Sequence, residues 1–119
     1  MKRSFEYYLN EFLKGISWQE GVDYGNPLSV RKYNRGTDTY RKAAKNIYQN
    51  HPERIDDFAV LLDSDNNNIR LCCAVCLVEI CHCSGPLYKK CISIVKEELN
   101  GWQELGWKMW LNKWEKTGE

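Results

Sequence analysis

The stretch Leu61-Leu-Asp-Ser-Asp-Asn-Asn-Asn-Ile-Arg-Leu-Cys-Cys-Ala-Val-Cys-Leu-Val-Glu-Ile80 decides the fold. Its two leucines close an apolar run, and the six residues after them are types that cap helices and tolerate left-handed backbone. Over 69–81 only Arg70 and Glu79 carry charge, so this segment reads as a short helix that is apolar nearly all round, hence central and buried. It is far too short to cross a bilayer.

Working outward, the same helical period appears on both sides. Upstream, Pro52 suits a first helical turn, and Ile55, Phe58, Ala59 and Leu62 follow at i, i+3, i+4 and i+7. From the N-cap residue Ser4, the residues Phe5, Tyr8, Leu9, Phe12, Leu13 and Ile16 form one face of an amphipathic helix whose end Gly15 weakens. Residues 18–27 carry two Gly, a Pro and no period, and read as a loop. A helix is expected over 28–48, with Val30, Tyr33, Thr37, Tyr40, Ala44 and Ile47 inward. Its outer face is basic: Arg31, Lys32, Arg35, Arg41, Lys42 and Lys45 against the single Asp38. Gly36 inside it costs about 1 kcal/mol relative to Ala, which counts against an unbroken helix there.

Downstream, Ser84-Gly85-Pro86 restarts the pattern, and Leu87, Cys91, Ile94 and Val95 give a fifth inner face. Asn100-Gly101 breaks it, and a sixth helix is expected over 102–114. Shifting the chain by 34 residues maps Pro52 onto Pro86, Leu71 onto Leu105, Cys76 onto Trp110 and Leu77 onto Leu111. Helix pairs recurring at such a period are the mark of a solenoid, whose units bury their faces by stacking. The expectation is therefore one all-α domain over 1–119, a short α-α superhelix of about six helices.

Composition agrees and narrows the function classes. With 43% hydrophobic and 28% charged residues the 119-residue chain has the makings of a single core. A net charge of +1 leaves no global footprint for nucleic acid or anionic membrane. The amino-terminal residues lack the apolar run of a signal peptide, so the expected compartment is the cytoplasm.

Four groups of residues could carry chemistry. Cys72, Cys73, Cys76, Cys81, Cys83 and Cys91 invite a zinc reading, but structural zinc sites set C-x-x-C in a turn, not along a helix. Cys is a small, commonly buried hydrophobe, so the expectation is reduced core residues with no metal and no cofactor. His82 directly follows Cys81 and cannot face it as a base, which speaks against a catalytic thiol and for a non-enzyme. Asp56, Asp57, Asp63 and Asp65 make an acidic corner that could dock a basic protein, or simply be a solvated, helix-capping face. The basic face over 28–48 could grip phosphates, yet it lacks interleaved aromatics, so no nucleic acid is expected. Trp107, Trp110, Leu111 and Trp114 form a stripe expected to fill the grooves left by the cysteine helix.

The segment over 61–80 resembles the core of a HEAT repeat. Leu61, Leu62, Asp63, Asp65, Ile69, Arg70, Cys73, Ala74 and Leu77 stand at the matching places. The resemblance implies that Arg70 brackets carboxylates near the turn, with Asp63 or Asp65 in reach. The layout over residues 4–116, closing on Leu105-Gly-Trp-Lys-Met-Trp-Leu-Asn-Lys-Trp-Glu-Lys116, is similar to a family of small bacterial proteins often encoded beside polymorphic toxins. That resemblance implies an immunity protein, whose partner is a cognate toxin domain. A general HEAT-like adaptor unrelated to toxins is the alternative, and a cysteine-based metal or redox protein a third.

Overall fold

The computed structural model describes residues 3–23 and 25–99, together with Lys113. Five α-helices are found among the described residues: α1 (Phe5–Ser17), α2 (Pro27–Asn50), α3 (Ile55–Ala59), α4 (Asn67–Glu79) and α5 (Gly85–Leu99). Short 3-10 turns, Pro52–Arg54 and Val60–Asp63, flank α3, and no strand occurs among the described residues. The all-α class holds, while the helix expected over 102–114, with its Trp stripe, lies outside the described residues. The chain divides into two compact units, Met1–Phe58 and Ala59–Glu119.

In the first unit, Ser4 caps α1 as its position predicts, its hydroxyl accepting from the Tyr7 N–H at 3.1 Å. Phe5, Tyr8, Phe12 and Ile16 are buried, and Leu9 and Leu13 half-buried. Helix α2 begins one residue before the expected start because Asn26 supplies the cap, its side chain accepting from the Leu28 N–H at 3.0 Å. Pro27, with no N–H to lose, fits the first turn.

Helix α2 also runs unbroken through Gly36, and the reason lies in α1. A Cβ on Gly15 would stand 2.6 Å from the Gly36 carbonyl oxygen and 2.7 Å from the Tyr40 nitrogen. A Cβ on Gly36 would meet the Gly15 carbonyl oxygen more closely still. Both glycines are buried. What reads in sequence as two weak points is the place where the two helix backbones touch, an approach only glycine permits.

Around that contact the partners run in opposite senses. Gln19 lies against Thr37, Phe12 against Tyr40, and Phe5 and Tyr8 against His51, so α1 and α2 are antiparallel. Phe12 is fully buried, edge-on to Tyr40 at 5.6 Å and to Phe58 at 4.9 Å between ring centroids. Such pairs add about 0.5–1.5 kcal/mol beyond the area they bury. The inward stripe of α2 is rotated from the expected one: Gly36, Ala43, Ala44 and Ile47 are buried, while Val30, Tyr33, Thr37 and Tyr40 are half-buried. Small residues take the closest positions because the helices meet so tightly.

In the second unit, Asn66 is the cap of α4, accepting from Asn68 and Ile69 N–H groups at 2.9 and 3.2 Å. The helix therefore starts at Asn67, two residues before the expected start. Cys73, Ala74, Val75, Cys76, Leu77 and Val78 are consecutive and all buried. A full turn and a half buried on every side is what the nearly chargeless sequence predicts. Arg70 donates to the Ser64 carbonyl at 2.6 Å and to the Asn67 side chain, neither of them the carboxylate expected of it. Asp63 is instead paired with Lys90 at 2.9 Å.

Candidate functional site

The four aspartates expected to form an acidic corner lie on both sides of the boundary between the units. Asp56 and Asp57 belong to the first unit, Asp63 and Asp65 to the second. All four are exposed. Asp57 accepts from the Arg54 Nε–H at 2.6 Å, and Asp63 from the Lys90 ammonium. Arg54 also reaches Glu6 at 3.4 Å and lies over the Phe5 ring at 4.3 Å from its centroid. Hydrogen bonding to Asp57 raises the Arg54 pKa above its ordinary value. Two of the four carboxylates thus have intramolecular cations, and such exposed pairs, screened by solvent, contribute little.

The basic face of α2 is more coherent. Arg31, Arg35, Lys42 and Lys45 follow one another at spacings of four, seven and three, which puts them on one stripe of a helix. All four are exposed, as is Asp38 between them, and the stripe spans about 21 Å at 1.5 Å per residue. It lies opposite the buried face at Gly36, Ala44 and Ile47. Arg41, expected with this set, is half-buried.

Beside the stripe, α1 and α2 leave a cavity of about 350 Å³, open to solvent. Arg3, Tyr7, Glu11, Thr39, Lys42 and Asn46 give it polar walls, and Tyr8 and Ala43 complete the lining. Lys42 belongs to both features. The Arg3 guanidinium lies over the Tyr7 ring at 5.0 Å. The Arg3 backbone is pinned twice: its N–H donates to the Tyr8 hydroxyl at 3.1 Å, and its carbonyl accepts from His51 Nε2 at 2.7 Å. The stripe was legible in sequence, but the cavity was not, because it arises from how α1 packs on α2. One signal was present: Tyr7 stands outside the apolar period of α1, and it is 42% exposed.

The cysteines sit largely in the core. Cys73, Cys76, Cys81 and Cys91 are buried, Cys72 and Cys83 half-buried, and none of the six is disulfide-bonded. Burial pushes the Cys73 thiol well up and the Cys81 thiol up to about 12. Cys83 and Cys91 are hydrogen-bonded side chain to side chain, which lowers Cys83 and raises Cys91 from the ordinary thiol value. Among the described residues no group of three or more His, Cys, Asp or Glu is arranged to hold a metal ion. No described helix is long and apolar enough to cross a membrane.

Fold and site together define a chain of two compact units, with only helices as regular secondary structure among the described residues, the first unit bearing a basic stripe beside a polar cavity. No family model matches this sequence, and no curated protein or solved structure matches it significantly.

Proposed function

We propose that this chain acts by binding another protein, and that it is an immunity protein neutralising a cognate toxin domain by direct contact. The observation that carries the binding role is the exposed stripe Arg31, Arg35, Lys42 and Lys45 running along α2 beside the polar cavity. It offers an acidic partner surface a row of cations on a rigid helix and a recess for a side chain at Lys42. Asp38 sits within the row and the net charge is only +1, which favours a patterned protein surface over a phosphate backbone. The resemblance over 61–80 to a HEAT repeat, and of the whole layout to the toxin-associated bacterial family, supports the toxin as partner. A short HEAT-like superhelix is the architecture that goes with this reading. Asp56 and Asp65, exposed like the stripe, are a second contact candidate should the partner carry a basic surface.

The test is co-expression with the toxin domain encoded beside the gene, reading growth rescue and a purified complex. Reversing Arg31, Arg35, Lys42 and Lys45 to Glu is expected to abolish rescue and slow association most at low salt, with the melting temperature unchanged. Unaltered binding of the reversed variant removes the stripe as the docking face. Failure to bind any encoded neighbour returns the chain to the class of general helical adaptors.

A further inference from the structure

We propose that the cavity between α1 and α2 binds a small organic monocarboxylate carrying an N–H or O–H donor, of the size and chemistry of an N-acylated amino acid. This goes beyond the binding of a protein partner, since the ligand is a free small molecule and no second chain is needed. Helices α1 and α2 supply the two walls, and because they run antiparallel each end of the cavity has its own chemistry. Arg3 and Asn46 stand at one end, Glu11 and Thr39 at the other, and Lys42 between them. Thr39, Lys42 and Asn46 follow at spacings of three and four, so they share one face of α2 over about 10 Å. Tyr8 and Ala43 are buried beneath, while Arg3 and Lys42 are exposed. A volume of about 350 Å³ lies at the small end of ligand sites.

The cavity presents donors that the fold itself does not use. Arg54 is taken up by Asp57 and Glu6, and Lys90 by Asp63. Arg3 and Lys42 make no ion pair among the described residues, and the side chains of Thr39 and Asn46 make no hydrogen bond among them. Arg3 is nevertheless fixed in place. Its backbone is held by the Tyr8 hydroxyl and the His51 ring, and its guanidinium lies over Tyr7. A cation positioned without a counter-ion is pre-organised for one arriving from solution. The guanidinium offers a planar fork that matches a carboxylate, and the Lys42 ammonium adds a point charge from the opposite wall.

The charges of the lining select among anions. Arg3, Lys42 and Glu11 together leave one net positive charge. One carboxylate balances it, whereas a phosphate monoester carries about −1.5 to −2 at pH 7 and would set its excess against Glu11. Glu11 is half-buried, with the Lys14 ammonium 4.0 Å away, and its carboxylate can only accept. It therefore calls for an N–H or O–H on the ligand. Glu11 stands one turn of α1 beyond Tyr7, about 6 Å, which sets that donor a few bonds from the ligand's carboxylate.

The test titrates the full-length, isotope-labelled protein with four probes and follows its backbone amides by two-dimensional NMR. N-acetylglycine carries both the carboxylate and the N–H; N-acetylglycinamide lacks the charge, N-acetylsarcosine lacks the donor, and inorganic phosphate carries the larger charge. N-acetylglycine should saturate with a Kd of about 1 mM or tighter, with the largest shifts at Tyr7, Glu11, Lys42 and Asn46. Each of the other probes should bind about tenfold more weakly. Arg3→Gln and Lys42→Gln should each weaken N-acetylglycine about tenfold at unchanged melting temperature. Lys89→Gln, an exposed change in the other unit, should leave the Kd unaltered. Glu11→Gln should bring phosphate within about threefold of N-acetylglycine, a change of selectivity that lost packing would not produce. Absence of saturation, largest shifts outside the lining, another probe binding as tightly as N-acetylglycine, or undiminished affinity in both Arg3→Gln and Lys42→Gln overturns the proposal. The wild-type probe series decides the matter even if a variant fails to fold.

Discussion

Gly36→Ala is the substitution that most directly probes the first unit, because two large effects of opposite sign meet there. In an ordinary helix interior the change stabilises by about 0.8–1.0 kcal/mol, since alanine loses less backbone freedom on folding. Here the added Cβ would run into the Gly15 carbonyl oxygen, with Trp18 Cβ at 3.1 Å and Gln19 Cγ at 3.3 Å. The closest obstacle is backbone of a neighbouring helix, which moves only if α1 moves. Overpacking of this kind costs about 1–3 kcal/mol, and an obstacle of backbone rather than a flexible side chain puts the cost in the upper half of that range. The net expectation is a loss of about 1–2 kcal/mol. At about 4–8 °C per kcal/mol for a domain of this size, the melting temperature should fall by roughly 5–15 °C. Thermal unfolding followed by circular dichroism is the assay, with Asn34→Ala as the control. Asn34 is exposed on the same helix and should gain a few tenths of a kcal/mol from propensity alone. Gly15→Ala should behave like Gly36→Ala, and the double variant should cost less than both together because one displacement of α1 relieves both clashes. If Gly36→Ala melts at or above the wild type, the two helices do not touch at their glycines and the reasoning fails.

Two further outcomes concern the second unit. Asn66→Ala removes the side chain that satisfies two amides at the start of α4 and should cost about 1 kcal/mol in chemical denaturation, with Asn66→Asp recovering most of it. Burial holds the Cys81 thiol at about 12 in the folded chain, against 9.0 as its ordinary value, so the folded state keeps a proton that the unfolded state releases. That stability is fully present below pH 9 and is lost as pH rises towards 12; a Cys81→Ala variant should show a shallower alkaline decline in melting temperature.

By itself the sequence determined the class, most helix positions and the burial of α4. Those are local or one-dimensional properties: a period of 3.6, capping residues such as Ser4, and a stretch with almost no charge. It also placed Arg31, Lys32, Arg35, Arg41, Lys42 and Lys45 on the outer face of one helix, of which Arg41 proves half-buried and Arg31, Arg35, Lys42 and Lys45 share one exposed stripe. What it misread were features that exist only between elements. Gly15 and Gly36 count against a helix when each is weighed alone, and become a contact when α1 and α2 cross antiparallel. The cavity walls come from residues about thirty-five apart, Arg3 to Glu11 on one side and Thr39 to Asn46 on the other. Directions along a helix follow from its period, whereas distances between helices follow from packing, and these sites are made of distances.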